Sequence, residues 1–110
     1  MRRVIEDAAT AFLRGLCAHF VGFGGTFRID ELSSRSWASV TFSGARHQVA
    51  FTLSGAGAGA AADAFLEGMA EAEFDLRGHI LADIALSGEE RDADGERVQL
   101  RLEALTVEED

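Results

Sequence analysis

Apolar residues recur at three- and four-residue spacing over residues 3–21, where Ile5, Ala8, Ala9, Phe12, Leu13, Leu16 and Phe20 form one stripe. That period predicts an amphipathic helix. Glu6 and Asp7 fall outside the stripe, near the positive end of the helix dipole. Gly22 and then Gly24-Gly25 are expected to end the helix, because glycine takes the left-handed cap conformation cheaply. From residue 27 the period becomes two. Phe27 and Ile29 alternate with Arg28 and Asp30; Ala38, Val40 and Phe42 alternate with Trp37, Ser39 and Thr41; Val49, Phe51 and Leu53 alternate with Gln48, Ala50 and Thr52. The pattern predicts three strands joined by turns at Ser33-Ser34-Arg35-Ser36 and Ser43-Gly44-Ala45-Arg46. Pairing Leu32 with Trp37 and Phe42 with His47 sets Phe27 opposite Phe42, Ile29 opposite Val40, Val40 opposite Val49 and Ala38 opposite Phe51. Both hairpins then show their apolar residues on one face, and a one-residue slip would break that agreement.

The bend Ser54-Gly55-Ala56-Gly57-Ala58-Gly59 leads into a second helix expected at 59–72. Its stripe is Ala61, Ala62, Phe65, Leu66 and Met69, and its polar face is Asp63, Glu67 and Glu71. Gly68 lies inside it, a place for close packing on the sheet. Residues 79–107 read as a long hairpin. Ala93-Asp94-Gly95 suits a three-residue loop with Gly95 left-handed, which pairs Leu86 with Leu102 and Ile84 with Ala104. The order is therefore α-β-β-β-α-β-β. The expected fold is one two-layer α+β domain over residues 1–110: a five-stranded antiparallel sheet, made of a three-strand meander and a long C-terminal hairpin, with two helices on one face. On the outer face of the last hairpin, Leu81 pairs with Val107 beside Leu105 and Ala85. An apolar patch on a polar face is a candidate interface.

Composition narrows the function more than it defines it. The chain has 110 residues, a formal charge of −9, one Cys and ten basic residues that are all arginine. So acidic a surface repels phosphate backbones and anionic lipid, which argues against nucleic acid and membranes as partners. No apolar run reaches the ~20 residues of a spanning helix. Glu6, Asp7 and Arg14 interrupt any leader-like segment, so a cytoplasmic location is expected. Cys17 lacks an intramolecular disulfide partner and sits in the first helical stripe as a buried thiol.

Four motifs invite chemistry. Gly55, Gly57 and Ala60 read as G-x-G-x-x-A, but a dinucleotide site needs a parallel β-α-β unit, and the strand before the bend belongs to an antiparallel meander. Glu90-Arg91-Asp92-Ala93-Asp94-Gly95 looks like the start of a calcium loop, yet Arg101 stands where the bidentate carboxylate belongs. His19, His47 and His79 have no ligand-like spacing, so neither metal nor cofactor is expected. His47 falls on the core face at the open end of the sheet, beside Arg46, where it could serve as a general base or hold an anion with Arg46. Residues 3–72 also follow the α-β-β-β-α order of a double-stranded-RNA-binding domain. The resemblance stops at element order, because the second helix carries Asp63, Glu67 and Glu71 and no basic residue.

Two functions remain. The first is a small non-catalytic protein that acts as a homodimer or through another protein partner, using Leu81, Ala85, Leu105 and Val107. The second is a binder of small molecules, or an enzyme, with a pocket between helices and sheet near His47 and Arg46.

Overall fold

The computed structural model describes residues 7–71, 74 and 76–109. Helix α1 runs Ala8–Ala18. It starts where Asp7 accepts the Thr10 backbone N–H at 2.9 Å, the usual way an Asp N-cap satisfies an orphan amide. It buries Ala11, Phe12, Gly15 and Leu16. Gly15 lets Phe74 and Leu76 approach closely, since a Cβ there would lie 2.8 Å from the Leu76 side chain. The helix ends three residues before the expected boundary without a left-handed glycine. Its cap residue is His19 in right-handed conformation, and the Phe20 and Phe23 amides turn back onto Cys17 and Phe20. Ile5 lies outside the described residues.

Among the described residues the sheet has four strands, not five. They are β1 (Thr26–Ala38), β2 (Ser43–Ser54), β3 (His79–Arg91) and β4 (Arg97–Glu108), in spatial order β1-β2-β4-β3 and antiparallel throughout. The order of elements is α-β-β-α-β-β. The expected turn at Ser33-Ser34-Arg35-Ser36 is straight strand. Apolar positions change parity there, from Phe27 and Ile29 to Leu32 and Ala38, and a turn was one way to accommodate the change. The chain instead absorbs it in a bulge between Ile29 and Glu31, where Asp30 is the extra residue that flips the alternation. The reversal comes at Ser39–Phe42, closed by the Ser39 N–H to Phe42 carbonyl bond at 2.7 Å. Residues 43–46 likewise belong to β2. The resulting register sets Phe27 opposite Leu53, Ile29 opposite Phe51 and Leu32 opposite Val49. Strand β1 thus lays its most apolar stretch against that of β2, and Val40 and Phe42 are left exposed at the hairpin tip.

The second hairpin forms as expected in the middle, with Leu86 opposite Leu102 and Ile84 opposite Ala104. Gly95 is left-handed, with φ +74°. The loop is longer than three residues, because Asp92 N–H bonds to the Arg97 carbonyl across Ala93–Glu96. A bulge between Leu86 and Gly88 restores the register. A second bulge, between Leu81 and Asp83, sets Leu81 opposite Thr106 and Ile80 opposite Val107, so Leu81 and Val107 do not pair.

Helix α2 spans Ala58–Gly68 and continues as a 3-10 turn over Met69–Glu71. Both helices cover the same face of the sheet, over β2 and β4. Gly68 ends α2 and faces open space rather than the sheet. Beneath the helices lie Phe12, Leu16, Phe20 and Phe65 against Val49, Phe51, Leu53, Val98, Leu100 and Leu102. The Phe20 ring meets those of Phe27, Phe51 and Phe65 at centroid distances of 5.2, 5.4 and 5.1 Å, within the 4.5–7 Å range favoured by aromatic pairs.

Candidate functional site

Side chains alternate across a strand, so the register decides which candidates meet. His47 faces the core between Ser34 on β1 and Ala104 on β4. Its neighbour Arg46 lies on the outer face, opposite Arg35 and Leu105. The two residues expected to share a pocket are therefore on opposite faces of the sheet.

His47 is 1% exposed. Its Nδ1 lies 2.6 Å from Ser34 Oγ and its Nε2 lies 2.9 Å from Thr106 Oγ1. The Thr106 hydroxyl donates to the Ala45 carbonyl at 3.4 Å, so it accepts from Nε2–H, and Nδ1 in turn accepts from Ser34. The Phe12 ring stacks on the imidazole at 5.1 Å. Burial pushes the His47 pKa below its ordinary value of 6.5; electrostatic repulsion between the two imidazoles of His47 and His79 adds to this and Asp7 partly opposes it. Ser34, His47 and Thr106 have the order of a nucleophile, a base and an orienting group, with a hydroxyl where a hydrolase places a carboxylate. A carboxylate stabilises the imidazolium that forms in catalysis. Here a hydroxyl and a phenyl ring surround a ring held neutral, and the trio acts as a cross-strand pin.

The pin sets a pH dependence. A depressed histidine pKa means that the unfolded chain binds more protons than the folded one between the folded value and 6.5. Its stabilising contribution is complete above pH 6.5 and is lost as pH falls through the folded value. The urea midpoint is expected to drop between pH 7.5 and pH 5. His47→Gln, which does not titrate, should flatten that slope; an equal slope in both proteins would remove His47 as its source.

At the glycine bend, Gly55 and Gly57 have φ of +117° and +87°. The strand before it is antiparallel to both neighbours, so no β-α-β unit forms there. The Gly59 amide in the first turn of α2 donates to the Gly95 carbonyl at 2.9 Å, and Gly55 N–H donates to the Glu96 carbonyl at 2.7 Å. The tip of the β3–β4 hairpin thus occupies the helix N-terminus, where an anion would otherwise bind. The calcium-like segment is this same tip, with Asp94 accepting the Glu96 amide and Arg91 bridging to Asp63 of α2 at 2.7 Å. Among the described residues, no group of three or more His, Cys, Asp or Glu side chains is placed to hold a metal. Cys17 is half-buried, and burial raises its thiol pKa. A groove of about 610 Å³ runs between α2 and the segment after α1, with Phe20, Phe23 and Phe65 in its lining and His19 as its one polar side chain.

The outer face of the sheet faces away from both helices. One row across it reads Trp37, Gly44, Val107, Ile80; the next reads Arg35, Arg46, Leu105, Asp83; a third reads Ser33, Gln48, Glu103, Ala85. The Trp37 indole lies over Gly44, where an added Cβ would come within 2.8 Å of the ring. Of the four expected interface residues, Ala85, Leu105 and Val107 are on this face. Leu81 packs against the core cluster instead, and the position beside Val107 belongs to Ile80, which is 54% exposed. Trp37 and Ile80 were missed, because parity alone does not tell the bulge between Ile29 and Glu31 from a turn and does not place the one between Leu81 and Asp83.

Further along this face, Asp30 accepts from Thr52 Oγ1 at 2.5 Å, Gln99 Nε2 at 3.1 Å and Arg28 Nε at 2.8 Å. Burial pushes its carboxyl up, but the bonds from Thr52, Gln99 and Arg28, with the Arg28 charge, outweigh it and bring the pKa down to about 2. Arg101 bridges to Glu31 at 3.1 Å. Five of the ten arginines (Arg28, Arg35, Arg46, Arg97, Arg101) lie on this face with five strand carboxylates (Asp30, Glu31, Asp83, Glu90, Glu103) and with Asp92, which pairs with Arg97 at the hairpin end. The face is close to neutral although the chain carries −9.

The chain matches no protein-family model, no curated protein and no solved structure. The fold and site define a two-layer α+β protein with an antiparallel sheet whose outer face no described helix covers, and no described helix is long and apolar enough to cross a membrane.

Proposed function

We infer that this is a non-catalytic interaction protein that works through the outer face of its sheet. The observation that carries the reading is the row Trp37, Gly44, Val107, Ile80, which crosses all four strands on the side away from the helices. Apolar surface contiguous across a sheet marks a contact face. A cytoplasmic setting, where a lone reduced thiol is ordinary, suits the reading. The catalytic alternative loses support from the separation of His47 and Arg46 and from the two hydroxyls that occupy the imidazole.

Val107→Asp tests the reading. Wild-type protein is expected to run as an assembly heavier than 11.8 kDa, either purified or in cell extract. The variant should lose that assembly while keeping its far-ultraviolet circular dichroism. A folded variant of unchanged assembly mass, or a wild-type chain that is monomeric in both settings, would refute it.

A further inference from the structure

We propose that the occupant of the outer face is a second copy of this chain, packed sheet to sheet about a two-fold axis parallel to the strands and passing between β2 and β4. This rests on the reading of the outer face as a contact surface and names its partner.

The charges choose the partner and the axis. Arg35 and Arg46 stand directly opposite each other in the β1–β2 register, a cross-strand arrangement of like charges that is unfavourable by itself. Neither is within ion-pair distance of a carboxylate among the described residues. Both lie in the half of the face built by β1 and β2. The carboxylate of the same row, Asp83, lies on β3, and Glu103 of the adjacent row lies on β4. A two-fold axis along the strands lays β1 over the second copy's β3, and β2 over its β4, row upon row. Arg35 then meets Asp83 of the partner subunit, Trp37 meets Ile80 of the partner subunit, and Val107 of the partner subunit comes against the Trp37 indole that lies over Gly44. A two-fold axis across the strands would set β1 on β1 and bring each arginine toward its own copy. Packed sheets cross at about 30° because each is twisted. That offset moves edge positions by roughly one residue, within reach of an arginine side chain.

The dimensions agree. Four strands at ~4.8 Å spacing, over about eleven residues at ~3.3 Å, present roughly 700 Å² of projected face, and a stable interface takes about 800 Å² from each partner. The near-neutral face also places the repulsive excess charge on the other surfaces, away from the contact.

The test is a charge swap on the purified full chain. Arg35 and Asp83 are both exposed, so Arg35→Asp and Asp83→Arg leave the core intact; circular dichroism confirms this. Native mass spectra and sedimentation should show a wild-type dimer. Each single variant puts two like-charge contacts into every dimer, and its dissociation constant should rise tenfold or more. An equimolar mixture of the two variants restores opposite charges at both contacts. It should form the mixed dimer with an affinity within about threefold of wild type, and emission of Trp37, the sole tryptophan, should shift back to the blue. Single variants that dimerise like wild type, or a mixture that yields no mixed dimer, overturn the proposal. So does saturable binding of inorganic phosphate at Arg35 and Arg46 by a chain that stays monomeric. A purified monomer that still joins an assembly in extract, lost on Val107→Asp, overturns the second copy alone and leaves the contact face standing; no assembly in either setting ends both.

Discussion

Phe12→Ala is expected to cost about 3–5 kcal/mol of folding stability, the range for deleting a fully buried phenyl ring. Phe12 is 0% exposed and joins two parts of the molecule. Its ring stacks on His47 at 5.1 Å and on Phe74 at 6.2 Å, and it belongs to the main core cluster of the sheet. Alanine removes the transfer energy of the ring and leaves a space that the rigid β2–β4 ladder cannot close. Domains are stable by only about 5–15 kcal/mol, so the variant should be marginal, and Phe12→Leu provides a milder comparison. The second consequence is electrostatic. With the ring gone, water reaches the imidazole and the His47 pKa should rise toward 6.5. Urea denaturation measures the first effect and histidine proton resonances across pH measure the second. A loss under 1 kcal/mol with an unmoved His47 titration would mean that Phe12 does not seal this end of the core.

Asp30→Ala should cost about 2–3 kcal/mol at pH 7, the scale for leaving buried partners of a charged acceptor unsatisfied. The Thr52 hydroxyl, 1% exposed as a residue, would lose its acceptor, and so would the Gln99 amide. The Arg28 contact adds little, because its side chain is 64% exposed and solvent screens it. The carboxyl titrates near 2 in the folded protein against 3.8 when unperturbed. Its ionic contribution is therefore complete above pH 3.8 and is lost as pH falls through about 2. The wild-type minus variant difference in unfolding free energy should shrink across that window. A difference that does not change with pH would show that the loss comes from the bulge backbone rather than from the charge.

Asp30 also shows why part of the fold was legible and part was not. The exchange of apolar parity between Ile29 and Leu32 is visible in the chain. A turn and a bulge both explain it, because each restores the alternation on one face. The choice rests on non-local energy: the straight strand places Ile29 against Phe51 and Leu32 against Val49 under the helices. The β3–β4 hairpin was easier. Asp94-Gly95 marks its turn, and Leu86 pairs with Leu102 and Ile84 with Ala104 as expected, although the loop is one residue longer and the bulge between Leu86 and Gly88 makes up the difference. The candidate site divides in the same way. His47 could be placed on the core face from its parity with Val49 and Phe51. Its partners Ser34 and Thr106 come from strands 13 and 59 residues away in the chain, and no local pattern points to them.

Sequence alone determined the helical stripes of α1 and α2, the antiparallel character of the strands, the left-handed Gly95 and the inward parity of His47. Each depends on residues within a few positions of one another, where period and turn chemistry act directly. Only the tertiary structure decided the number of strands, the three bulges, the separation of Arg46 from His47 and the row from Trp37 to Ile80. Each of these is set by which strand lies alongside which, and that is decided by burying the largest apolar side chains together across long stretches of chain.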